Sequence, residues 1–299
     1  MNVQPEGLRT TPSSAPRMHS KPFGATGRDV AAIGQGTWRI HSRKAALEAL
    51  TAGLDLGLTH VDTAELYEWG SGGETMLGEV LSAPGPGGAP WRESVTLASK
   101  VHPRHARARD VVSACKDSLV RLQTDRIDLY YHHWREDDVP LEETLRALAG
   151  LVDAGWVRAI GVSNYDVADL EEATSVLGAG RIAANQVLHH LADRGAEREV
   201  VPWCRQHGVT VVGYSPFGSG RFVGGAKLRV LEEVGQESGA TPRQVALAFL
   251  TREDHVVTIP KAERAEHARE NAGGSLRLAQ DQVARLDGAF PVRDGLRTV

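Results

Sequence analysis

Cysteine is scarce, with two in 299 residues, Cys115 and Cys204. Neither stands in a CxxC pair or beside a histidine cluster, so the count and spacing speak against a disulfide scaffold and a thiolate metal site. Both fall in stretches of helical character, where a free thiol packs as a small apolar side chain. That usage suits a reducing, cytoplasmic setting. There is no apolar run near the roughly 20 residues that a membrane helix needs, and no signal-peptide core. Positive charge is not in excess either. Lys and Arg total 34 against 38 Asp and Glu, a formal net charge of -4. Nucleic acid and anionic membrane surfaces are therefore not the expected partners. Internal repeats and low-complexity domains are also lacking.

What is present is a large apolar fraction, 41% of the chain, enough for a sizeable core. Residues 1–20 are rich in Ser, Thr, Pro and Arg and read as a disordered N-terminal tail. Glu6 and the shortness of the segment argue against a transit peptide. Residues 21–299 read as one domain. Within it, eight short apolar stretches recur with helical patterns between most of them, at 31–34, 58–62, 95–100, 127–133, 157–162, 183–187, 209–214 and 256–259. Helices are expected near 43–56, 110–122, 141–154, 167–177, 197–206, 242–251 and 280–289. Thr241 is the expected N-cap of the sixth of these, with Pro242 in its first turn. Continuous rather than alternating apolar runs suit parallel strands buried on both faces. Eight such units closing on themselves make a parallel eight-stranded (β/α)8 barrel with a short N-terminal extension. An open doubly wound sheet is the structural rival. Its dinucleotide-binding form wants GxGxxG at the first strand-to-helix turn, whereas the turn here, from Gly34 to Arg39, lacks the third glycine.

In a parallel barrel the chemistry gathers at the C-terminal ends of the strands. The polar residues there are Asp62, Lys100, His133, Ser163 with Asn164, Gln186, Tyr214 with Ser215, and Lys261. Most are costly to bury without partners, so a series of them at one end suggests a shared polar site. His132 and His133 are adjacent on a strand and should point to opposite sides. A metal site built from these two with His189 and His190 is therefore not expected.

The resemblance of these segments to a known family is specific. Val61 to Tyr67 followed by Gly73 to Gly78 resembles the DTAxxY…GExxLG signature of aldo-keto reductases. Ala98-Ser99-Lys100 resembles the family's lysine strand, and Asp128 to Trp134 its DLYxxHW segment. Gly161 to Tyr165, Asn185-Gln186-Val187, Tyr214-Ser215-Pro216, and Ile259-Pro260-Lys261 with Glu270-Asn271 follow in the family's order. The match runs from about residue 21 to beyond residue 271.

The resemblance implies an NAD(P)H-dependent reduction of an aldehyde or ketone. Hydride addition leaves negative charge on the carbonyl oxygen, so the site needs a proton donor. Tyr67 takes that role, with Lys100 expected to lower its pKa from about 10. Asp62 would hold Lys100, and His133 would hydrogen-bond the substrate oxygen, leaving His132 as a packed histidine. Ser163, Asn164 and Gln186 are expected to hold the nicotinamide carboxamide, and Tyr214 to stack on its ring. Ser215, Pro216, Phe217, Gly218 and Arg221 would follow the pyrophosphate, with Gly36, Thr37 and Trp38 at the first turn. Ile259, Pro260, Lys261, Arg264, His267, Glu270 and Asn271 would meet the adenosine end. Trp38, Trp69 and Trp134 are expected to line the substrate pocket.

The chain departs from the family at Ala262, where serine is usual, at His267, where arginine is usual, and at Arg135, where proline follows His-Trp. Lys261 and Arg264 favour NADPH, while the missing contacts leave NADH possible. Arg135 reads as solvated charge in preference to a cation at the pocket rim. The short segment after Asn271 leaves little chain for a substrate-covering loop, which points to an open pocket. The expected partner is a small-molecule carbonyl compound, with a monomer as the default state. Two other readings stay open: a cofactor-binding regulatory or sensor subunit with little turnover, and an unrelated barrel enzyme with Lys100 as a Schiff-base nucleophile.

Overall fold

The computed structural model describes residues 18–136, 138–218 and 222–292. It opens with a small antiparallel hairpin, β1 (Ser20–Pro22) and β2 (Asp29–Ala31). Eight parallel strands follow: β3 (Gln35–Gly36), β4 (His60–Asp62), β5 (Thr96–Val101), β6 (Ile127–His132), β7 (Val157–Ser163), β8 (Ile182–Leu188), β9 (Thr210–Tyr214) and β10 (Val256–Thr258). They lie in sequence order in one sheet. Parallel bridges from Ile33 to Thr258 and from Gly36 to Lys261 join the last strand to the first, which closes the barrel.

Helices flank the sheet as α1 (Arg43–Asp55), α2 (Glu68–Ser71), α3 (Gly73–Ser82), α4 (Ala108–Arg121), α5 (Leu141–Asp153), α6 (Val167–Leu177), α7 (Val200–His207), α8 (Ala226–Ser238), α9 (Pro242–Leu250), α10 (Ala265–Ala272) and α11 (Gln280–Ala289). Their boundaries follow local chemistry. Asp166 and Asp169 form a reciprocal capping box at the start of α6, and Thr241 with Gln244 does the same for α9, which begins at Pro242. In α5, Leu141, Leu145, Leu148 and Leu151 recur on one buried face, the spacing of an amphipathic helix laid on a sheet. α8 and α11 pack beside α9 around Leu231, Phe249, Leu286 and Phe290. Among the described residues no helix is long and apolar enough to cross a membrane.

The sequence reading did not mark α3, α8 or α10, and it differs from the structure at the N-terminal end in two further ways. The first barrel strand is Gln35–Gly36, not the apolar stretch at 31–34; Ala31 belongs to the hairpin instead. Hydrophobicity located that strand too early because the hairpin supplies part of the barrel's apolar floor. Its Phe23 and Val30 pack with Ala98, Leu129, Tyr131, Ala159, Val212 and Val257 inside the barrel. Ser20, read as part of the tail, begins β1; residues 1–17 lie outside the described residues. Lys21 on β1 donates to the carbonyls of Thr251, Glu253 and Val256, and burial lowers its pKa to about 8.

The motif residues outside the cavity hold elements together. Glu74 on α3 accepts from Ser99 at 2.5 Å and from Arg121 on α4 at 2.7 Å. Asp128, near the opposite end of the barrel from the site, accepts the Leu97 amide at 3.0 Å and pairs with the buried Arg92 at 2.9 Å. A buried carboxylate with several donors anchors the strands it joins.

Candidate active site

The C-terminal ends of the strands surround a cavity of about 560 Å³. Its lining includes most of the residues read from the sequence: Asp62, Tyr67 and His133; Ser163, Asn164 and Gln186; residues 214–218; and Gly36, Thr37, Trp38, Trp134, Ile259 and Lys261.

Tyr67 ends a short 3-10 turn, Glu65–Tyr67, just after β4. That turn is pinned by Glu65, which accepts the His102 amide at 2.9 Å and pairs with His105 at 2.8 Å. Gly73 lets α3 approach closely. A Cβ there would stand 3.0 Å from both Thr63 Oγ1 and Tyr67 Cβ.

Behind Tyr67, Lys100 is fully buried on β5. Its ammonium donates to Asp62 Oδ1 at 2.5 Å and to the Thr63 carbonyl at 2.7 Å, and lies 5.1 Å from the centre of the Tyr67 ring. The other Asp62 oxygen accepts from Gln186 Nε2 at 2.8 Å. Both carboxylate oxygens are therefore engaged, as a buried charge requires. The His133 ring meets the Tyr67 ring edge-on at 5.9 Å and Trp134 at 4.6 Å.

Burial dominates the titration of these groups. It pushes the Tyr67 phenol well above its ordinary pKa, and the nearby Asp62 and Tyr214 add to the rise. The sequence reading expected Lys100 to lower it. In the structure the net direction is upward, because burial outweighs the ammonium, whose positive charge is matched at short range by Asp62. Burial likewise lowers Lys100, against the opposing pull of Asp62. It also lowers His133 well below the usual imidazole value, helped by the Lys100 charge. The wall thus presents a protonated phenol and a neutral imidazole.

On the next strands, Tyr214 donates to Asn164 Oδ1 at 2.9 Å, and the Asn164 amide donates to the His133 carbonyl at 3.2 Å and to Ser163 Oγ at 3.1 Å. Four non-glycine residues among those described have positive φ, and three of them, Arg39 (54°), Asn164 (62°) and Ser215 (53°), line this cavity. Backbone held in the left-handed region concentrates at functional sites.

Other expected residues fall elsewhere. Trp69 is 67% exposed, its ring tilted against His102 at 5.1 Å, outside the cavity. Pro260, Arg264, His267, Glu270 and Asn271 do not line the cavity. Glu270 instead accepts from Thr241 at 2.9 Å, and Asn271 is buried. Arg221 lies outside the described residues. Arg135 pairs with Asp169 at 2.9 Å and Glu172 at 2.7 Å on α6, so it serves as surface charge. His132 points away from the cavity and bonds Tyr165 at 2.8 Å. Among the described residues no three His, Cys, Asp or Glu side chains gather as a metal site.

Four lining residues were missed: Arg39, His41, Leu66 and Arg243. Arg39 stacks over Trp38 at 4.2 Å. Arg243 stacks over Phe217 at 4.7 Å and Phe222 at 5.0 Å. The cap at Thr241 was the available signal for Arg243, since it starts α9 at the open end of the barrel.

The fold and this wall define a barrel oxidoreductase site. Comparison with known proteins agrees. The model of the "Aldo/keto reductase family" matches residues 32–290. The chain is 40% identical over 271 residues to methylglyoxal reductase YeaE of Escherichia coli (strain K12), covering 88% of this chain and 92% of that protein. It is 33% identical over 254 residues to methylglyoxal reductase DkgB of Salmonella typhimurium, covering 84% and 88%. Among solved structures, an aldo-keto reductase from Klebsiella pneumoniae in complex with NADPH superposes with a TM-score of 0.84 at 39% identity, covering 94% of this chain and 99% of that one. The chain belongs to the aldo/keto reductase family, and its chemistry is carbonyl reduction.

Proposed function

We propose that this chain reduces small aldehydes and ketones, including 2-oxoaldehydes such as methylglyoxal, with NADPH preferred over NADH, in the cytoplasm. The observation that carries this reading is the meeting of Tyr67, His133 and the sealed Asp62–Lys100 pair on one wall of the cavity. The family relatives named for methylglyoxal reduction, and the neighbour crystallised with NADPH, support the choice of substrate and cofactor.

The residues present fit a nicotinamide dinucleotide. Ser163, Asn164 and Gln186 offer the donors and acceptors that a carboxamide needs, at the price of exchanging their present internal bonds. Tyr214 offers an aromatic face, and Lys261 a cation across the cavity. The bound cofactor supplies hydride to the carbonyl carbon. Tyr67 gives its proton to the carbonyl oxygen. Burial keeps that proton in place at neutral pH until negative charge develops on the substrate. Lys100 then offsets the phenolate left on Tyr67. Asp62 and the Thr63 carbonyl hold the ammonium in position, and Gln186 holds Asp62. Neutral His133 orients the substrate oxygen beside Tyr67. Trp38, Leu66 and Trp134 form the apolar walls that exclude water.

Absorbance of the reduced cofactor, followed over a panel of aldehydes, ketones and methylglyoxal with NADPH and NADH in turn, tests the proposal. The expected outcome is turnover of methylglyoxal and small aldehydes with a higher kcat/KM for NADPH. Cofactor binding with no turnover across the panel would contradict it.

A further inference from the structure

The cation expected to receive the 2′-phosphate of NADPH already has an anionic partner within the chain. Lys261 Nζ donates to Glu263 Oε1 at 2.7 Å and to the Arg39 carbonyl at 2.8 Å. Both side chains are about one-third exposed, 31% for Lys261 and 36% for Glu263. His41 Nε2 also approaches the same Glu263 oxygen, at 3.7 Å. The hydrogen bond from Lys261 holds the Glu263 carboxyl below its usual range, so it stays charged.

Ala262 offers Lys261 no donor, Arg264 and His267 lie outside the cavity lining, and His267, like His41, acts on Glu263. The other basic side chains in the lining are engaged differently, Arg39 over Trp38 and Arg243 over Phe217 and Phe222.

A phosphate carrying about -1.5 to -2 charges must either displace the carboxylate from Lys261 or sit beside it. Either course costs binding energy that a 2′-hydroxyl does not, and a hydroxyl can donate to that same carboxylate. We propose that Glu263 sets the cofactor selectivity of this chain by competing with the 2′-phosphate of NADPH for Lys261, which narrows the preference for NADPH over NADH. This deepens the cofactor reading above and rests on Lys261 meeting the 2′-phosphate.

Equilibrium titration tests it without turnover. Quenching of intrinsic tryptophan fluorescence, with Trp38 and Trp134 in the cavity lining, gives Kd for NADPH and NADH at one fixed ionic strength. The proteins are wild type, Glu263→Gln and Lys261→Met. Glu263→Gln is expected to tighten NADPH about five-fold and leave NADH unchanged or weaker. Lys261→Met is expected to weaken NADPH about five-fold more than NADH. Retained NADH binding shows that each variant is folded. An unchanged NADPH-to-NADH ratio in Glu263→Gln, with Lys261→Met still selective, would overturn the role of Glu263 and leave Lys261 at the 2′-phosphate. A Lys261→Met variant with no selective effect would remove Lys261 from that contact, and the competition with it.

Discussion

Two sides of one cavity are built in different ways. Around Tyr67, the charges are sealed: Lys100 and Asp62 are at most 1% exposed, and each is bonded to a second group as well as to its partner. Around Lys261, the charges are part-exposed, and the same cation is shared by a carbonyl and a carboxylate. A dry, fully bonded arrangement has one geometry and does not reorganise during reaction, which suits proton transfer. A wet arrangement can exchange partners at small cost, which suits selection between two closely related cofactors.

That contrast predicts a steep gradient of mutational effects. Breaking the sealed pair should matter most. Lys100→Met leaves Asp62 buried without its cation, a loss of about 3–5 kcal/mol of stability, and kcat should fall by about 10²-fold or more. Urea denaturation and initial rates would measure the two. Adding Asp62→Asn should restore much of the stability and none of the activity. Restored activity would contradict the role given to the pair.

Acid should act on the same interior. Burial lowers both His60 and His132 from 6.5 to about 4, so both are neutral in the folded chain at pH 7. Their folded pKa values lie below the unfolded ones. The stability they add is therefore complete above about pH 6.5 and is lost as pH falls through about 4, at about 1.4 kcal/mol per pH unit for each group. The His60 ring nitrogens have no hydrogen-bond partner. His60→Phe should consequently be near neutral at pH 7 and should flatten the acid limb in denaturation midpoints taken between pH 7 and 4.

Steric crowding beneath the site gives a smaller effect. A Cβ on Gly161 would lie 2.3 Å from the Tyr131 ring, and that ring sits 5.7 Å from Lys100 Nζ. Gly161→Ala should destabilise by about 1–3 kcal/mol, visible as a lower Tm. The smallest change is expected at the solvated rim. Arg135→Ala should alter stability by less than about 1 kcal/mol and leave kcat/KM unchanged, because its partners are on α6 rather than in the cavity.

The sealed side was also the more legible one in the sequence. Asp62, Lys100 and His133 stand at strand ends, a strong constraint in a closed barrel, whereas Tyr67, in the turn after β4, was marked by the family resemblance of its segment. α6 and α11 begin and end where periodicity placed them, at Val167–Leu177 and Gln280–Ala289. The hairpin was hidden because its strands are three residues each and include Lys21, Pro22 and Asp29. α8 was missed since its Leu, Val and Glu residues follow closely on the glycines at 218, 220, 224 and 225, which mask where a helix begins. The direction of the Tyr67 pKa was not legible either. It depends on how far the fold buries the phenol and on which charges it sets beside it, and neither is written in local spacing. Arg39, His41 and Arg243 reach the cavity from loops or helix starts, where no periodicity marks the inward side.

The central claim is that Tyr67 delivers the proton, and Tyr67→Phe tests it most directly. Single-turnover oxidation of bound NADPH by methylglyoxal would be followed beside the cofactor Kd. The expected result is a hydride-transfer rate lowered by about 10³-fold or more, with Kd changed by less than about two-fold. A variant that transfers hydride at the wild-type rate would contradict it.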